Sequence, residues 1–383
     1  MNPELVFQDT VNFIRDYRVV ARSGLFDRDW YLGKYPDVAA SGMNPILHYL
    51  RHGAAEGRDP GPAFNTTEYL ASRPYAVMSR MNPLVHYELH HNEKDFNLSE
   101  AEEQNLSDLE WTKRYSRLIF NRPLDILNPK SFNEKISVYK LFYRERPLWK
   151  YTDKYEVRDY FREKVGEEYL VPLIGVYQTL EEIPFDALPG SFMLKATHGC
   201  AMNIICQDKS QLDWEDSKRQ VMEWLIVNYF DPYREWAYKD IQPRIIIEEL
   251  LVDNHGVPTK DYKIFCFNER PRIVQVIGSR FSEKKSLQNF DLNWRKLRMD
   301  TITPRPDVDE EKPEKLEELL DVATRLCAGF PFVRVDLYCT DRVYCGELTF
   351  YPGAGLSPFR QAIWDRRFGR LLDIKDLISQ YNT

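Results

Sequence analysis

The chain has 383 residues, of which 43% are hydrophobic and 29% are charged, and its net charge is −7 at pH 7. A chain of this length can bury two or three cores, and the negative balance argues against a general nucleic-acid binder, which usually carries a basic face. No apolar run reaches the length of about 18 residues that a membrane span needs.

The N-terminus and the cysteines bear on the location of the protein. The first residues, Met1 to Phe7, lack the basic stretch and apolar core of a secretion signal. The six cysteines form no Cys-x-x-Cys pair and have no histidine companions at zinc-ligand spacing, which favours reduced thiols over a zinc site or a disulfide framework. We therefore expect a protein without a transmembrane segment, in the cytoplasm or at the inner face of the membrane.

An internal repeat fills most of the first hundred residues, and its matched pairs are offset by 38 residues. Phe26-Asp-Arg-Asp-Trp-Tyr-Leu32 aligns with Phe64-Asn-Thr-Thr-Glu-Tyr-Leu70, Asn44-Pro45 with Asn82-Pro83, and His48-Tyr49 with His86-Tyr87. A fixed period of this length is typical of stacked supersecondary units, and Asn-Pro before an apolar run favours a helix start. We therefore predict an all-α repeat module over residues 1–105, with units at about 26–63 and 64–101.

The histidines of the repeat, His48 and His86, occupy one repeat position, which favours a packing role over metal binding. The units resemble the Phe-Asp-x-x-Tyr-Leu…Asn-Pro-Leu-x-His-Tyr repeats attached to glycosyltransferases and other bacterial surface-polysaccharide enzymes. The second copy has diverged, since Tyr75-Ala-Val-Met78 stands where the first has Asp37-Val-Ala-Ala40. The resemblance implies a module that docks to polysaccharide-synthesis machinery.

Helical and strand patterns alternate in the rest of the chain. Ser131 and Glu134 stand at capping-box spacing, and Asp153-Lys154 opens an amphipathic helical pattern that continues to Lys164. Short apolar runs bounded by turn residues predict strands. The predicted strands are 170–177, 192–196, a segment ending at 205, 243–251, 261–267 and 272–280; the predicted helices are 111–141 with a break at 128–129, 153–164, 310–328 and 361–381.

A lysine and a loop of small residues follow one another at the end of the strand 192–196. Lys195 is followed by Thr197-His-Gly-Cys-Ala201, and accessible backbone N–H groups beside a fixed cation suit a phosphate. The loop is not a Walker motif, because the Gly-Lys-Ser/Thr element is missing. Taken alone, it is better explained as a tight turn between strands.

Two strand patterns near the C-terminus, 332–338 and 344–349, enclose a turn. Alternation places Arg334 and Asp336 on one face, and pairing as a hairpin brings Asp336 towards Glu347. Two close carboxylates repel unless a cation lies between them, and Mg²⁺ prefers carboxylate oxygen and often bridges phosphates. A surface hairpin with ordinary solvated charges is the alternative.

The order of these motifs resembles the ATP-grasp superfamily over residues about 110–365, and in particular its TupA-like branch, named after teichuronopeptide biosynthesis. The motifs that carry the resemblance are Asn-Pro-x-(Ser/Thr)-Phe-Asn-Glu-Lys, Thr-Asp-Lys-Tyr-x-Val-Arg-x-Tyr, Leu-Lys-Ala-x-His-Gly and Arg-Val-Asp-Leu-Tyr, which occur here at 128–135, 152–160, 194–199 and 334–338. The resemblance implies an α+β fold, in which two α+β subdomains clasp ATP, over residues 106–383. The N-terminal subdomain of the superfamily is abbreviated in this sequence.

The resemblance also implies the residues that hold ATP. It assigns the phosphates to Lys154 and Lys195 and to the loop 198–203, adenine to the hinge 248–251, and the ribose to Asp261. The predicted ATP-binding residues are Lys154, Lys195, His198, Gly199, Cys200, Ala201, Asn203, Glu248, Glu249, Leu250, Leu251 and Asp261.

Catalytic and metal-binding residues follow from the same resemblance. The predicted catalytic residues are Lys263, Arg280 and Arg334, and the predicted Mg²⁺ ligands are Asp336, Glu347 and Thr349. Lys263 and Arg280 are expected to contact the triphosphate or the acyl-phosphate, and Arg334 to neutralise developing charge. Two positions depart from the family pattern, because Thr349 replaces a common Asn and the loop at Gly199-Cys-Ala201 lacks a frequent second glycine.

The implied reaction is phosphoryl transfer from ATP to a carboxylate, followed by capture of the acyl-phosphate by an amine. Together with the repeats, it predicts an ATP- and Mg²⁺-dependent carboxylate–amine ligase of surface-polysaccharide biosynthesis, for example one that joins an amino acid to a uronic acid. An ATP-dependent phosphotransferase acting on a sugar hydroxyl, a glycosyltransferase and a non-catalytic scaffold are the alternatives. The acceptor pocket is expected at residues 281–298, where ordinary solvated charges are the alternative.

Overall fold

The computed structural model describes residues 3–93, 96, 98–253, 256–278, 286–299 and 309–381. The chain divides into two units. The first unit consists of Met1–Pro129 and Leu356–Arg366, and the second of Lys130–Gly355 and Arg367–Thr383. The domain limits proposed from the sequence, 1–105 and 106–383, stay a prediction.

Helices build the first unit. They are α1 (Pro3–Arg22), α2 (Arg28–Lys34), α3 (Pro36–Ser41), α4 (Pro45–His48), which continues as a π-turn over Tyr49–Gly53, α5 (Thr66–Ser72), α6 (Pro74–Ser79), α7 (Pro83–His90), α8 (Glu100–Gln104) and α9 (Asp108–Phe120). In the part of the chain that the structure describes, no helix combines the length and the apolar character needed to cross a lipid bilayer.

The two repeats make equivalent contacts. The Tyr31 hydroxyl is hydrogen-bonded to Nδ1 of His48 at 3.0 Å, and the Tyr69 hydroxyl to Nδ1 of His86 at 2.7 Å. In each repeat an asparagine side chain caps a helix that begins with proline. Both histidines are buried, and burial lowers the pKa of each imidazole. The histidines therefore take part in the packing of the repeat, as the sequence predicts.

The second unit mixes helices and strands. Its helices are α10 (Phe132–Phe142), α11 (Trp149–Thr152), α12 (Val157–Lys164), α13 (Trp214–Leu225), α14 (Leu316–Leu326), α15 (Ala362–Leu371), which begins in the first unit, and α16 (Lys375–Tyr381). Its strands are β1 (Leu173–Tyr177), β2 (Phe192–Ala196), β3 (Asn203–Cys206), β4 (Ile245–Glu248), β5 (Asp261–Phe267), β6 (Arg270–Gly278), β7 (Ser286–Phe290), β8 (Phe332–Cys339) and β9 (Val343–Thr349).

The strands form two antiparallel sheets. The smaller sheet has the order β1–β4–β2–β3, and the larger has the order β7–β6–β5–β8–β9. Apolar side chains of the smaller sheet, among them Phe192, Leu194 and Ile247, form one core cluster with Val221 of α13. This arrangement confirms the predicted α+β class.

Helix starts in the second unit follow from capping. Ser131 and Glu134 form the predicted capping box at the start of α10, in which the Glu134 carboxylate accepts from the Ser131 N–H at 2.9 Å. The helix predicted from residue 153 begins instead at Val157, because Asp153 Oδ1 accepts hydrogen bonds from the Tyr155 and Glu156 N–H groups. The intervening turn carries Lys154.

Other predicted boundaries are shifted. The strand predicted over 243–251 is limited to β4, and residues 249–251 leave the sheet as a hinge-like segment. The helix predicted over 310–328 is shortened to α14, and the predicted C-terminal helix is divided into α15 and α16. The predicted strand 272–280 corresponds to β6, and its last two positions lie outside the described residues.

Candidate active site

A cleft of about 960 Å³ is lined by residues from both sheets of the second unit. Of the residues predicted to form the site, the cleft is lined by Lys154, Lys195, Cys200, Ala201, Asn203, Glu248, Glu249, Leu250, Leu251, Asp261, Lys263, Asp336 and Glu347. His198, Gly199, Arg334 and Thr349 are not among the residues that line it, and Arg280 lies outside the described residues. One cleft therefore holds both predicted phosphate lysines and both predicted metal carboxylates.

Lys154 is tied to the loop that follows β2. Its backbone N–H donates to the Thr197 carbonyl at 3.2 Å, and its Nζ donates to the Gly199 carbonyl. Burial lowers the pKa of Lys154, while the negative charge of Glu347 acts in the opposite direction. A further anion placed in the cleft would stabilise the charged form of this lysine, which is the property that a phosphate site needs.

Lys195 belongs to a buried chain of charges. Its Nζ donates to Glu248 Oε2 at 2.6 Å, and Glu248 Oε1 accepts from Arg158 at 3.0 Å. Burial lowers the pKa of Lys195, but the Glu248 carboxylate more than offsets this effect, so the pKa of the lysine is raised. Glu248, predicted as part of the adenine hinge, therefore uses its side chain to position Lys195.

The loop between β2 and β3 has a constrained backbone. Ala201 adopts φ +59°, a left-handed conformation that residues with a Cβ disfavour. This is the position at which the family pattern often has a second glycine. Gly199 has no room for a side chain, because an added Cβ would lie 2.7 Å from the Met202 sulfur and 2.8 Å from the Tyr229 ring.

His198 anchors this loop. Its imidazole is buried, and Nε2 donates to the Trp224 carbonyl at the end of α13 at 2.9 Å. Burial lowers the pKa of His198, so the ring is neutral at pH 7. The structure thus places His198 beneath the loop, whereas its neighbours Cys200 and Ala201 line the cleft.

The predicted hairpin is present, and its register places the carboxylates face to face. Asp336 is the direct partner of Glu347, and Arg334 is the direct partner of Thr349. An irregularity between Asp336 and Leu337 leaves Gly346 as an extra residue in β9. The two acidic side chains therefore lie on one face of the sheet, towards the cleft.

Two cations hold Asp336. The Arg334 guanidinium forms a fork, with Nε at 2.6 Å from Oδ1 and a terminal nitrogen at 2.7 Å from Oδ2, and Lys263 pairs with the same carboxylate. Arg334 also donates to the Thr349 hydroxyl at 2.9 Å and lies 3.5 Å from Glu347. Lys263 and Arg334 therefore fix the orientation of the carboxylate that faces the cleft.

One end of the cleft is apolar, and the sequence did not single out its residues. Val171, Met193, Met202, Leu250 and Pro258 line it. The alternation of β2 was a usable signal for Met193, because this residue shares a face with Lys195. Thr259, Tyr338 and Gly346 were also missed as lining residues.

The segment expected to form the acceptor pocket has other contacts. Residues 281–285 lie outside the described part of the chain. Trp294 stacks on Phe290 at 4.2 Å and donates to the Glu310 carbonyl, and Lys296 pairs with Asp309. The described residues of 286–299 do not line the cleft, and the acceptor pocket stays a prediction.

The donor set of the cleft fits ATP and Mg²⁺, the cofactors that the ATP-grasp fold implies. The apolar end suits a planar base, and the lysines suit phosphates. Among the described residues no three His, Cys, Asp or Glu side chains converge on one point. A cation held by Asp336 and Glu347 would therefore take its other ligands from phosphate and water, which is how Mg²⁺ is commonly bound.

Comparisons with known proteins agree with this donor set. The model of the TupA-like ATP-grasp family matches residues 134–373, which is more than half of the chain. A search of curated proteins gives no match. The family assignment therefore rests on the match of the sequence to the family model.

Three solved structures that are similar to this chain are ligases. A D-alanine–D-alanine ligase from Bacillus anthracis has 16% identity and a TM-score of 0.36, with 60% of this chain and 66% of that chain covered. An L-amino acid ligase from Bacillus licheniformis has 11% identity and a TM-score of 0.36, with 66% and 55% covered. The ATP-grasp ligase PsnB, complexed with a minimal precursor, has 13% identity and a TM-score of 0.31, with 62% and 63% covered. The chain thus spans less than two thirds of the length of these structures.

Proposed function

The chain belongs to the TupA-like ATP-grasp family, and we propose that it uses ATP and Mg²⁺ to activate a carboxylate as an acyl-phosphate, which an amine captures to form an amide. The observation that carries the proposal is the convergence of Lys154, Lys195, Asp336 and Glu347 on one cleft. These residues come from a turn, from the smaller sheet and from the larger sheet, and a surface hairpin with solvated charges does not require such convergence.

The lysines are proposed to position the phosphates. Lys195 is partly buried with its charge maintained by Glu248, and Lys154 is held over the loop by the Gly199 carbonyl. Positioning and charge neutralisation account for most of the catalysis in phosphoryl transfer, so fixed cations of this kind are the main requirement. Mg²⁺, when bound, would neutralise charge on the phosphate oxygens.

The hairpin is proposed to supply the metal ligands and their support. Asp336 faces the cleft in an orientation fixed by Lys263 and the Arg334 fork. Glu347 is more accessible, with 30% of its side chain exposed against 5% for Asp336. Thr349 accepts a hydrogen bond from Arg334, which supports a structural role more directly than a role as a third ligand.

The substrates are proposed from chemistry and from the repeats. A uronic acid would supply the carboxylate and an amino acid the amine, in the synthesis of a bacterial surface or capsular polysaccharide. The sequence of the repeat module supports the polysaccharide part of this proposal. We place the reaction in the cytoplasm, where ATP is available, with docking to polysaccharide-synthesis enzymes through the repeats.

The reaction is tested with purified protein, ATP and Mg²⁺ and a panel of uronic acids and amino acids. We expect ADP release that depends on both substrates and a product with the mass of the amide. Glu347→Gln serves as the matched control for contaminating ATPases. Absence of ADP with every pair contradicts the ligase, and a phosphorylated sugar formed without any amine would instead identify a phosphotransferase.

The docking role is tested separately. Val77 of α6 is an exposed apolar side chain of the second repeat, with 56% of its surface accessible. A photo-crosslinking residue at this position is expected to capture a polysaccharide-synthesis enzyme in cells that make the polysaccharide. The same residue at Ile174, exposed on β1 of the second unit, is the control. Equal capture from both positions would contradict docking through the repeats.

A further inference from the structure

A buried carboxylate lies next to the candidate active site and has no role in the mechanism above. Glu235 is 7% exposed and directly precedes a short 3₁₀ turn, Trp236–Tyr238. Among the described residues, no side chain or backbone N–H donates a hydrogen bond to its carboxylate. Its oxygens are not among the described side-chain atoms that are sealed from solvent without a hydrogen-bond partner. At least part of the carboxylate surface is therefore accessible. A buried carboxylate without a hydrogen-bond donor is unfavourable, and it needs a cation or a proton donor as its partner.

The cations near Glu235 are already engaged. Lys140 of α10 and Arg334 of β8 are the positive groups that act on it. Lys140 donates to the backbone carbonyls of Tyr233 at 2.8 Å and Ala354 at 3.1 Å, and Arg334 forks onto Asp336. The carboxylate therefore retains its capacity to accept hydrogen bonds.

The groups around Glu235 also contact residues of the candidate active site. Arg334 also lies within 3.5 Å of Glu347, and Cys200, which contacts the Tyr229 hydroxyl, lines the cleft. The negative charge of Glu235 acts on a thiol and on several phenols around it: Cys200, Tyr229, Tyr233, Tyr238 and Tyr351. Glu235 is not one of the residues that line the cleft. The groups that it acts on, Arg334 and Cys200, nevertheless belong to the part of the site around Glu347, since the Tyr238 ring packs on Tyr229 at 4.7 Å and the Tyr229 hydroxyl contacts Cys200.

The backbone before Glu235 is strained. Arg234 adopts φ +53°, and its N–H donates to the Phe230 carbonyl at 2.7 Å in a tight turn. A residue with a Cβ disfavours this left-handed conformation, and strain of this kind concentrates at functional sites. This turn directly precedes Glu235, whose side chain is buried within electrostatic range of Arg334.

We propose that Glu235 binds the ammonium group of the amine acceptor and removes one of its protons. The inference rests on the proposed ligase function. The carboxylate takes one proton from R–NH₃⁺, which frees the nitrogen lone pair. The nitrogen then bonds to the carbonyl carbon of the acyl-phosphate, the bond from that carbon to the phosphate oxygen breaks, and the phosphate leaves with the electron pair and takes the second nitrogen proton.

The titration of Glu235 suits this role. Burial raises the pKa of Glu235 to about 7, and the charges of Lys140 and Arg334 act in the opposite direction. A base whose pKa lies near the working pH combines availability with proton affinity. A bound ammonium group would also supply the hydrogen-bond donors that the described surroundings of the carboxylate do not.

Hydroxylamine separates this role from the phosphoryl step, because it is already uncharged at neutral pH and captures acyl-phosphates without a base. Wild type and Glu235→Gln are assayed with ATP, Mg²⁺ and D-glucuronate or D-galacturonate, with hydroxylamine, L-alanine, L-glutamate or L-lysine as the nucleophile. We expect Glu235→Gln to lower the ratio of amide to hydroxamate by about a hundredfold or more. Glu235→Asp should restore part of the ratio, and Asp240→Asn, which alters an exposed acid of the same segment, should leave it unchanged.

Equal losses of amide and hydroxamate in Glu235→Gln, or no loss of either, would overturn the inference. Absence of hydroxamate in the wild type contradicts the proposed function instead. A second measurement then decides the role of Glu235 by itself: coupling with a water-soluble carbodiimide and glycine ethyl ester at pH 6, followed by mass mapping. An amine adduct on Glu235 supports an acceptor site there, and labelling of Asp240 without labelling of Glu235 overturns it.

Discussion

Asp336 and Glu347 are direct partners across the hairpin, yet their surroundings differ. Asp336 is nearly buried and neutralises both Lys263 and Arg334, whereas Glu347 is partly exposed and has Arg334 at 3.5 Å. Removal of one member of a buried ion pair leaves its partners uncompensated and typically costs about 3–5 kcal/mol of stability. The Asp336 carboxylate therefore serves the fold as well as the site, and Glu347 gives the cleaner test of a metal role.

We predict that Glu347→Gln lowers Mg²⁺-ATP turnover by about a hundredfold or more, because a metal ligand contributes several kcal/mol of charge stabilisation. Its melting temperature should stay near that of the wild type. Asp336→Asn should lose activity and also melt earlier, because Lys263 and Arg334 lose their partner. ADP release and thermal unfolding of both variants measure these effects, and full activity in Glu347→Gln would show that the metal assignment is wrong.

We predict that the Glu235 carboxyl makes the stability of the folded protein depend on pH. Because burial raises the pKa of this carboxyl to about 7, the folded state keeps a proton that the unfolded state releases at lower pH. Its contribution to stability is present below the usual carboxyl pKa and is lost as the pH rises through about 7. The free energy of unfolding of Glu235→Gln, relative to that of the wild type, should therefore rise between pH 5 and pH 8, by up to about 3 kcal/mol.

Urea unfolding of both proteins across this pH range measures the difference between them. Asp240→Asn is the control, since an exposed acid contributes little to such a profile. A constant difference between Glu235→Gln and wild type would mean that the carboxyl titrates normally. The comparison needs no substrate and is independent of the catalytic proposal.

At the level of elements, the register of β8 and β9 determines which side chains meet at the cleft. The pairing changes its offset between Asp336 and Leu337, where Gly346 is the extra residue. An added Cβ at Gly346 would lie 2.9 Å from the Asp336 carbonyl oxygen and about 3 Å from the Tyr338 ring. At the bulge, the backbone of Gly346 lies close to the backbone of Asp336, the predicted metal ligand, and only a residue without a side chain allows this approach.

We predict that Gly346→Ala displaces β9 relative to β8 and weakens the binding of Mg²⁺-ATP. Gly190→Ala is the matched control, because an added Cβ at Gly190 meets no atom within 4 Å. Calorimetric titration with a non-hydrolysable ATP analogue and Mg²⁺ is the measurement. An unchanged affinity in Gly346→Ala would mean that the hairpin accommodates the methyl group without moving Asp336.

The elements that the sequence predicted well are those with local signals. Alternation identified the β8–β9 hairpin, and the capping box at Ser131 identified the start of α10. The start of α12 was predicted four residues too early because Asp153 resembles the first residue of the helix, whereas its carboxylate accepts hydrogen bonds in the turn before it. Helix α13 and strand β7 were not predicted.

At the level of the whole molecule, the cleft depends on contacts between distant parts of the chain. The motifs predicted the chemical types that meet there, and the family match supports their fold. Glu235 had no such signal, because its significance depends on Lys140 and Arg334, which lie about a hundred residues away on either side. Burial and the absence of a hydrogen-bond partner among the described residues are properties of the folded chain that a local pattern does not encode.

The location of the proposed ATP site within one unit leads to a prediction for the whole protein. The cleft residues all belong to the second unit, so Mg²⁺-ATP should stabilise the transitions that unfold that unit. A ligand at a hundred times its Kd adds about 2.7 kcal/mol to the stability of the state that binds it. A chain with two units need not unfold in one step, and each transition is therefore measured separately.

Differential scanning calorimetry with a non-hydrolysable ATP analogue, with Mg²⁺ or with EDTA, tests this prediction. We expect the analogue to raise the melting temperature of the second unit more with Mg²⁺ than with EDTA, since the carboxylate pair repels the phosphates unless a cation lies between them. Glu347→Gln should reduce this difference, whereas Lys195→Ala should weaken the effect in both conditions because it removes a proposed phosphate contact. If the analogue shifts the melting temperature of the wild type equally with Mg²⁺ and with EDTA, nucleotide binding does not depend on a cation at the carboxylate pair. This result would contradict the metal site.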